Sequence, residues 1–179
     1  MARWENLRVC DVVTKIKDEQ MVLPVIQRRL VWNEGKMILL FDSLLKGNSF
    51  GSIICIDEET QSKPLFAYRK FTNDGNPTKA IEYSSVKQSH KLIVDGQQRL
   101  QSFYIGLTGT YEGKQMYFDL YSDFANSEYD FNFAQSLDQL PKKNADKPIQ
   151  ECFWYSVQEL YYRLKDTNDA EQVSEEIIA

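Results

Sequence analysis

Residues 92–99 read LIVDGQQR, and this stretch is the strongest indication of the fold in the sequence. The apolar residues at its start predict a buried strand, which stops at Asp95 and Gly96. The residues that follow, 97–107, predict a helix. Free backbone N–H groups and the helix dipole make a helix N-terminus favourable for an anion. We therefore expect an anion, most simply a phosphate, at the turn between this strand and this helix.

The side chains of this turn are the first candidates for ligand chemistry. Gly96 lets the backbone approach a ligand closely. Gln97 and Gln98 offer uncharged amide groups, and Arg99 is able to bind a phosphate through two N–H groups. Asp95 is a candidate to hold a divalent cation, to orient a water molecule or to cap the helix. The alternative is an ordinary strand-to-helix turn, in which Asp95 is the cap and Arg99 is solvated.

A second segment, residues 24–32, has a similar order of features. Gln27 and Arg28 end an extended stretch, just ahead of a helix that we expect to begin after an Asn33 cap. This arrangement again suits an anion or a nucleotide. Trp32 is a candidate to stack on a base or on an arginine, or else to anchor the core. Two such segments in one small domain favour a shared cleft.

The composition narrows the class of protein. The net charge of −5 and the pI near 5.0 argue against a protein that coats duplex DNA, because neutralising phosphates normally needs a basic surface. The sequence has no apolar run of the roughly 18 residues that a membrane span needs, and its first residues lack a secretion signal. We therefore expect a cytoplasmic protein that is not held in a membrane.

Several common sites are missing from the sequence. There is no P-loop motif, and the single histidine, His90, lies in a polar stretch where it forms no credible Ser-His-Asp set. We expect His90 in a solvated loop and the carboxylates of residues 57–59 in a solvated turn. The cysteines Cys10, Cys55 and Cys152 are odd in number and far apart, which suits neither disulfides nor zinc. We expect each of them to pack as a small apolar side chain.

The hydrophobic pattern predicts a mixed order of helices and strands, and hence an α+β fold with a small mixed sheet and flanking helices. Helices are expected over residues 7–17, 34–46 and 97–107, strands over 21–26, 51–56, 91–94, 116–120 and 129–133, and a helix, or a strand then a helix, over 152–165. We expect strand 51–56 to be buried, residues 64–68 to be its candidate partner, and residues 70–90 to form a long surface loop. The domain is expected to span residues 1–165, before an acidic tail or the start of a further region at 166–179.

Sequence motifs also occur in a fixed order along the chain. They are PxxQRxxVW at residues 24–32, DSLLxG at 42–47, FGSI at 50–53 and VDGQQRL at 94–100. Together they resemble the N-terminal domain of GmrSD-type modification-dependent restriction systems. That domain is similar in fold to the ParB and sulfiredoxin superfamily, so the resemblance implies a ParB/sulfiredoxin-like version of the α+β fold.

The resemblance implies a domain that binds and hydrolyses a nucleoside triphosphate in defence against phages, coupled to DNA cleavage. The DGQQR motif side chains Asp95, Gln97, Gln98 and Arg99 would be catalytic. The phosphate or nucleotide would contact Gly96 and Arg99, and a further set from the first motif: Gln27, Arg28 and Trp32. A Mg²⁺ ion would bridge phosphate oxygens, with Asp95 as a candidate ligand.

The resemblance also bears on partners. Such domains act with a nuclease of the His-Asn-His type, which a chain with His90 as its single histidine is unable to form. We therefore expect a nuclease domain or subunit outside this chain, and DNA, including modified phage DNA, as a further partner. Asp42 and Ser43 belong to the family pattern, but they lie on a helix with a core face and are as readily structural.

Two other functions stay open on the sequence. The DGQQR motif would equally serve a Mg²⁺-dependent DNA nickase or nuclease. It would also serve a non-catalytic module that senses a nucleotide or DNA and switches a partner.

Overall fold

The computed structural model describes residues 3–58, 67–76, 82–84, 90–143, 151–165 and 177. Within these residues the chain forms four α-helices and two β-sheets. The helices are α1 (Val9–Lys17), α2 (Glu34–Leu45), α3 (Gln97–Thr108) and α4 (Val157–Leu164), and a short 3₁₀ turn covers Leu137–Gln139. All the helices that the sequence predicts are present. None of the described helices is long and apolar enough to cross a membrane.

The larger sheet is mixed and has five strands in the order β2-β5-β1-β3-β4. Its strands are β1 (Met21–Pro24), β2 (Ile54–Glu58), β3 (Tyr68–Arg69), β4 (Tyr83–Ser84) and β5 (His90–Asp95). Strands β1 and β5 are parallel, and the other pairs are antiparallel. The parallel pair lies in the middle of the sheet, so the ends of β1 and β5 lie side by side. This neighbourhood brings the two predicted motifs together.

The smaller sheet is antiparallel and has three strands in the order β7-β6-β8. Its strands are β6 (Gln115–Asp119), β7 (Phe131–Ala134) and β8 (Trp154–Ser156). The last strand leads directly into α4, so the strand-then-helix alternative for residues 152–165 is the correct one. Two small sheets with flanking helices confirm the α+β prediction. The finer likeness to the ParB and sulfiredoxin folds stays a prediction.

Helix α3 is the centre of the molecule because it packs into two apolar clusters. Phe103 and Ile105 join a cluster with α2 and the smaller sheet, whereas Leu100 joins a cluster with α1 and the larger sheet. Phe41 and Phe103 pack edge to face, with their ring centroids 5.5 Å apart. Apolar contacts on both sides hold the helix, and with it the turn before its first residue, in one position.

Strand β2 corrects a prediction. The sequence indicates a buried strand, but β2 is an edge strand of the larger sheet, and Ile54 is 54% exposed. Its apolar run is not covered by another described element. Cys55 is exposed on this strand, so the expectation that it packs as an apolar side chain is also wrong, whereas Cys10 and Cys152 are half-buried. All three cysteines are free thiols.

The segment after β2 differs from the prediction as well. Tyr68 pairs with β1 and β4 and not with β2, so the expected partner of β2 is wrong at this residue. Part of the expected surface loop over 70–90 belongs to the larger sheet, because it contains strand β4, which pairs with β3 at Arg69. Residues 59–66, 77–81 and 85–89 of this region lie outside the described residues, as do 144–150 and nearly all of the predicted tail.

His90 is the clearest departure from the predicted loop. It lies in β5, only 8% exposed, because the register of β2 on β5 places Glu58 opposite it. The imidazole Nε2 is 3.4 Å from a Glu58 carboxylate oxygen, and the Tyr68 hydroxyl donates a hydrogen bond to the same oxygen. His90 and Glu58 are therefore members of a buried polar group. Glu59, the rest of the predicted turn, lies outside the described residues.

Candidate functional site

The turn between β5 and α3 has the geometry of an open helix N-terminus. Gly96 lies there with φ of 85°, a left-handed conformation that favours glycine. A Cβ atom at this position would overlap Ile53 Cδ1, so a larger residue would strain the conformation and also displace the end of the Ile53 side chain. No side chain caps the helix, and its first turn has no acidic residue. Asp95 is therefore not a helix cap, and the first N–H groups of α3 keep their capacity to bind an anion.

The glutamines of the first turn bind the main chain of the other motif. Gln98 accepts a hydrogen bond from the N–H of Val31 at 2.8 Å and donates one to the carbonyl of Arg29 at 3.0 Å. Gln97 Nε2 donates to the carbonyl of Arg28 at 2.5 Å. An amide side chain matches a peptide group because it carries both a donor and an acceptor. Residues 28–31 are thus held across the start of α3.

A reciprocal bond closes the pair of segments. Gln27 Nε2 donates to the carbonyl of Val94 at 2.7 Å, in the strand that leads into the DGQQR turn. Each motif therefore uses glutamine amides to bind the backbone of the other, although the two are 67 residues apart in the chain. The side-chain oxygens of these two glutamines, Oε1 of Gln27 and Oε1 of Gln97, are buried and have no hydrogen-bond partner among the described residues.

The two segments enclose a cleft of about 400 Å³. Its lining consists of residues 94–99 together with Gln27, Arg28 and Trp32. All the side chains that the sequence predicts to be catalytic or nucleotide-binding lie in this lining. The structure thus assembles them at one place, while the role of each stays a prediction. A cleft of this volume falls within the usual range for small-molecule sites.

The charges of the cleft are unevenly paired. Arg99 is only 16% exposed in its side chain, donates to the carbonyl of Phe50 at 2.6 Å and lies 3.4 Å from a carboxylate oxygen of Asp95. The Asp95 side chain is 65% exposed, so its carboxylate remains open to the cleft. Arg28 is exposed as well. The positive charge of Arg99 is partly compensated inside the protein, whereas Arg28 faces solvent.

Trp32 combines the two alternatives that the sequence left open. It is half-buried and packs against the core cluster of α2 and α3, and it also lines the cleft. Asp42 and Ser43 do not line it. Asp42 pairs with Lys46, the residue that follows α2, at 2.8 Å, and Ser43 donates to the Leu39 carbonyl within α2 at 2.7 Å. The contacts of these two family positions are therefore local to the helix.

The described residues contain no group of three or more His, Cys, Asp or Glu side chains that could hold a metal ion. Asp95 is the carboxylate of the cleft lining. Proteins commonly hold Mg²⁺ through one or two carboxylates together with phosphate oxygens of the substrate. Asp95 is available for such binding, in which most of the ligands would belong to the nucleotide and water, and Mg²⁺ at this cleft stays a prediction.

Sequence reasoning missed one residue next to this cleft. Arg69 lies in β3, is 6% exposed, and its Nη2 donates to the carbonyl of Arg28 at 3.0 Å. Burial and, to a smaller extent, the nearby Arg29 lower the pKa of Arg69. No motif marks this arginine in the sequence. The signal that was available is a cation within an apolar and aromatic stretch, because such a residue must find a buried partner.

Comparison with known proteins identifies the family. Residues 9–178 match the family model described as the GmrSD restriction endonuclease, N-terminal domain. The match covers most of the chain, and the chain belongs to this family. No curated protein matches it.

Proposed function

We propose that this GmrSD-family domain, a component of a phage-defence restriction system, binds a nucleoside triphosphate in the DGQQR cleft and hydrolyses it. The observation that carries the proposal is the uncapped N-terminus of α3, which opens into a cleft together with Arg28 and Asp95. A helix N-terminus without a side-chain cap and with cations beside it is a suitable site for phosphate.

In this proposal the phosphates lie on the first N–H groups of α3. Arg28 is exposed in the lining, where its guanidinium would bind a phosphate oxygen. Arg99 would turn from the Phe50 carbonyl and Asp95 toward the negative charge that builds up in phosphoryl transfer. Guanidinium groups and backbone N–H groups stabilise such charge in the transition state.

Asp95 has the exposure that a reacting carboxylate needs. In the proposal it orients the attacking water or holds Mg²⁺ together with the phosphates. When bound, Mg²⁺ supplies neutralisation of phosphate charge. Before a ligand binds, the contact with Arg99 at 3.4 Å keeps the carboxylate near the start of the helix.

Gln97 and Gln98 have a positioning role in this proposal. Their amide groups bind the carbonyls of Arg28 and Arg29, so they determine where Arg28 stands relative to the helix N-terminus. Trp32 lies in the same lining, where its ring is available to stack on a base. The sequence-based assignment of both glutamines as catalytic thus becomes a proposal about geometry.

The proposal places DNA cleavage in a nuclease domain or subunit outside this chain. Nucleotide turnover in the cleft would control that nuclease through segment 27–32, because the segment contacts both the cleft and the core through Trp32. The net charge of −5 supports a role in nucleotide handling over a role in coating duplex DNA.

The test is phosphate release from each of the four ribonucleoside triphosphates with Mg²⁺, compared between wild type and Asp95→Asn. We expect turnover in the wild type and a loss of about 100-fold or more in the variant, the range for removal of a general base or a charge stabiliser. The matched control is Glu159→Gln. Glu159 is also exposed and forms an i,i+4 pair with an arginine, Arg163, on α4.

The alternatives give different results in the same assay series. Nicking of supercoiled plasmid that needs Mg²⁺ but no nucleotide, and that disappears in Asp95→Asn, would favour a nuclease. Nucleotide binding by calorimetry without turnover would favour a sensing module. Equal turnover in Asp95→Asn and Glu159→Gln would contradict the catalytic assignment of Asp95.

A further inference from the structure

Arg69 is a buried cation whose charge is not compensated by a described carboxylate. Its side chain makes one hydrogen bond in the described part of the chain, from Nη2 to the Arg28 carbonyl at 3.0 Å. Within the described residues, its Nε is buried without a hydrogen-bond partner, and no Asp or Glu lies within ion-pair distance. Arginine is almost never fully buried unless it is paired, because desolvation of a charge is expensive.

The charge that acts on Arg69 among the described residues has the same sign. The positive charge of Arg29 repels that of Arg69 and so lowers the pKa of Arg69, as burial also does. A guanidinium nevertheless stays protonated at neutral pH. The larger sheet thus carries a permanent positive charge, in a partly dehydrated place, that an anion would stabilise.

Arg69 lies immediately behind the wall of the cleft. The Arg28 carbonyl accepts hydrogen bonds from Arg69 Nη2 at 3.0 Å and from Gln97 Nε2 at 2.5 Å, so the two nitrogens are no more than about 5.5 Å apart. Arg28 and Gln97 both line the cleft. The buried guanidinium of Arg69 is therefore joined to the lining of the cleft through the Arg28 carbonyl.

We propose that Arg69 supplies the buried positive charge of the anion site in this cleft, and that a phosphate group of the bound nucleotide is its counter-ion. The proposal rests on the proposed function. It names a polyphosphate as the part of the ligand that Arg69 recognises. Arg69 is a positioning residue, since it acts through its field and through the Arg28 carbonyl and does not itself line the cleft.

The arginines of the site then differ in their roles. Arg99 has Asp95 at 3.4 Å and a carbonyl partner, so part of its charge is compensated before a ligand binds. Arg69 also has a carbonyl partner, that of Arg28, but it pairs with no carboxylate among the described residues. A buried charge is screened less by salt and interacts more strongly at a given distance than an exposed one. Arg69 therefore contributes to affinity for phosphate although it lies behind the wall.

The experiment measures binding of inorganic tripolyphosphate and of a nucleoside triphosphate by calorimetry at several salt concentrations. Wild type is compared with Arg69→Lys, which keeps the charge, and Arg69→Gln, which keeps a donor for the Arg28 carbonyl and removes the charge. We expect Arg69→Gln to weaken tripolyphosphate binding about 10- to 100-fold, and Arg69→Lys by less than about 10-fold. Arg69→Gln should also reduce the salt dependence of binding. Arg163→Gln, which removes an exposed arginine on α4, is the matched control and should change neither.

Two outcomes overturn the role of Arg69 and leave the proposed function intact. One is unchanged tripolyphosphate affinity and salt dependence in folded Arg69→Gln, with wild type binding normally. The other is an equal loss in both variants with an unchanged salt dependence, which would indicate a purely structural bond to the Arg28 carbonyl. Wild type that binds neither tripolyphosphate nor any nucleoside triphosphate would overturn the proposed function as well.

A second measurement needs no change of charge. In ¹⁵N-labelled wild type, the Nε–H resonance of Arg69 should shift on addition of tripolyphosphate, and that of Arg163 should stay. The resonance of Arg69 is identified as the one that is missing from the spectrum of Arg69→Lys. A resonance of Arg69 that does not move at saturating tripolyphosphate would overturn the proposal even if Arg69→Gln does not fold.

Discussion

The N-termini of α2 and α3 follow similar stretches of sequence but differ in whether they are open to an anion. At α2, the Asn33 side chain accepts a hydrogen bond from the N–H of Lys36 at 3.1 Å, and Glu34 in the first turn binds Lys114 at 2.8 Å. At α3, Gly96 has no side chain to offer, and the first turn carries no acidic residue. The first helix end is closed to an anion, whereas the second is open.

This difference corrects the expectation that the segment before α2 forms an anion site at its own helix. An Asn cap occupies an N–H group that a phosphate would need, and Glu34 adds negative charge. Gln27 and Arg28 serve the other helix instead, because the parallel pairing of β1 with β5 places them beside the start of α3. A helix N-terminus is thus a site only when its cap leaves the N–H groups open.

The largest effect should come from closing the open end. Gly96→Ala places a Cβ atom against Ile53 in a left-handed conformation, and we expect a loss of about 2–4 kcal/mol in the free energy of unfolding. Affinity for nucleotide should fall at the same time, because the start of α3 must move. Urea unfolding and calorimetry measure the two effects.

Gly113→Ala is the control for this change. Gly113 has φ of 78° and no atom within 4 Å of an added Cβ, so only the conformational penalty of about 1–2 kcal/mol should appear. If Gly96→Ala and Gly113→Ala were equally stable and both bound nucleotide as wild type does, the close approach at Gly96 would have no part in the site.

A smaller effect should come from separating the segments. Gln98→Ala removes the bonds to the Val31 N–H and the Arg29 carbonyl, and we expect a loss of about 1–3 kcal/mol in the free energy of unfolding. Nucleotide affinity should fall further than stability alone explains, since Arg28 loses its support. The control is Gln115→Ala, a half-buried glutamine that bonds only the Gln158 side chain, at 3.2 Å, in the described residues. Normal nucleotide affinity in Gln98→Ala would show that these hydrogen bonds are not needed for nucleotide binding.

The smallest effect should come from the closed end. Asn33→Ala removes the α2 cap, and we expect a loss of about 1 kcal/mol in the free energy of unfolding with no change in nucleotide affinity. Ser156→Ala, which removes the matching cap of α4 at Glu159, should behave alike. A change of tenfold or more in nucleotide affinity for Asn33→Ala alone would show that α2 takes part in binding.

Local sequence was enough for the elements that depend on local patterns. The helix after Gly96, the Asn33 cap and the aromatic strands β6 and β7 all follow from apolar spacing and turn residues. The environment of His90 was not predictable in this way. Its burial depends on Glu58 and Tyr68, which lie 10 or more residues apart in the chain and come together with His90 through strand pairing, so no local pattern contains all three.

The candidate site also combines features that local sequence predicts with features that depend on contacts between distant segments. Apolar spacing and turn residues predict a strand, a glycine turn and a helix that offers N–H groups beside Asp95 and Arg99, because backbone conformation and helix polarity are local properties. The bonds from the glutamines to the main chain of residues 28–31, and the burial of Arg69 behind it, depend on long-range packing. Those contacts join segments distant in sequence, and they depend on the order and register of strands in the larger sheet.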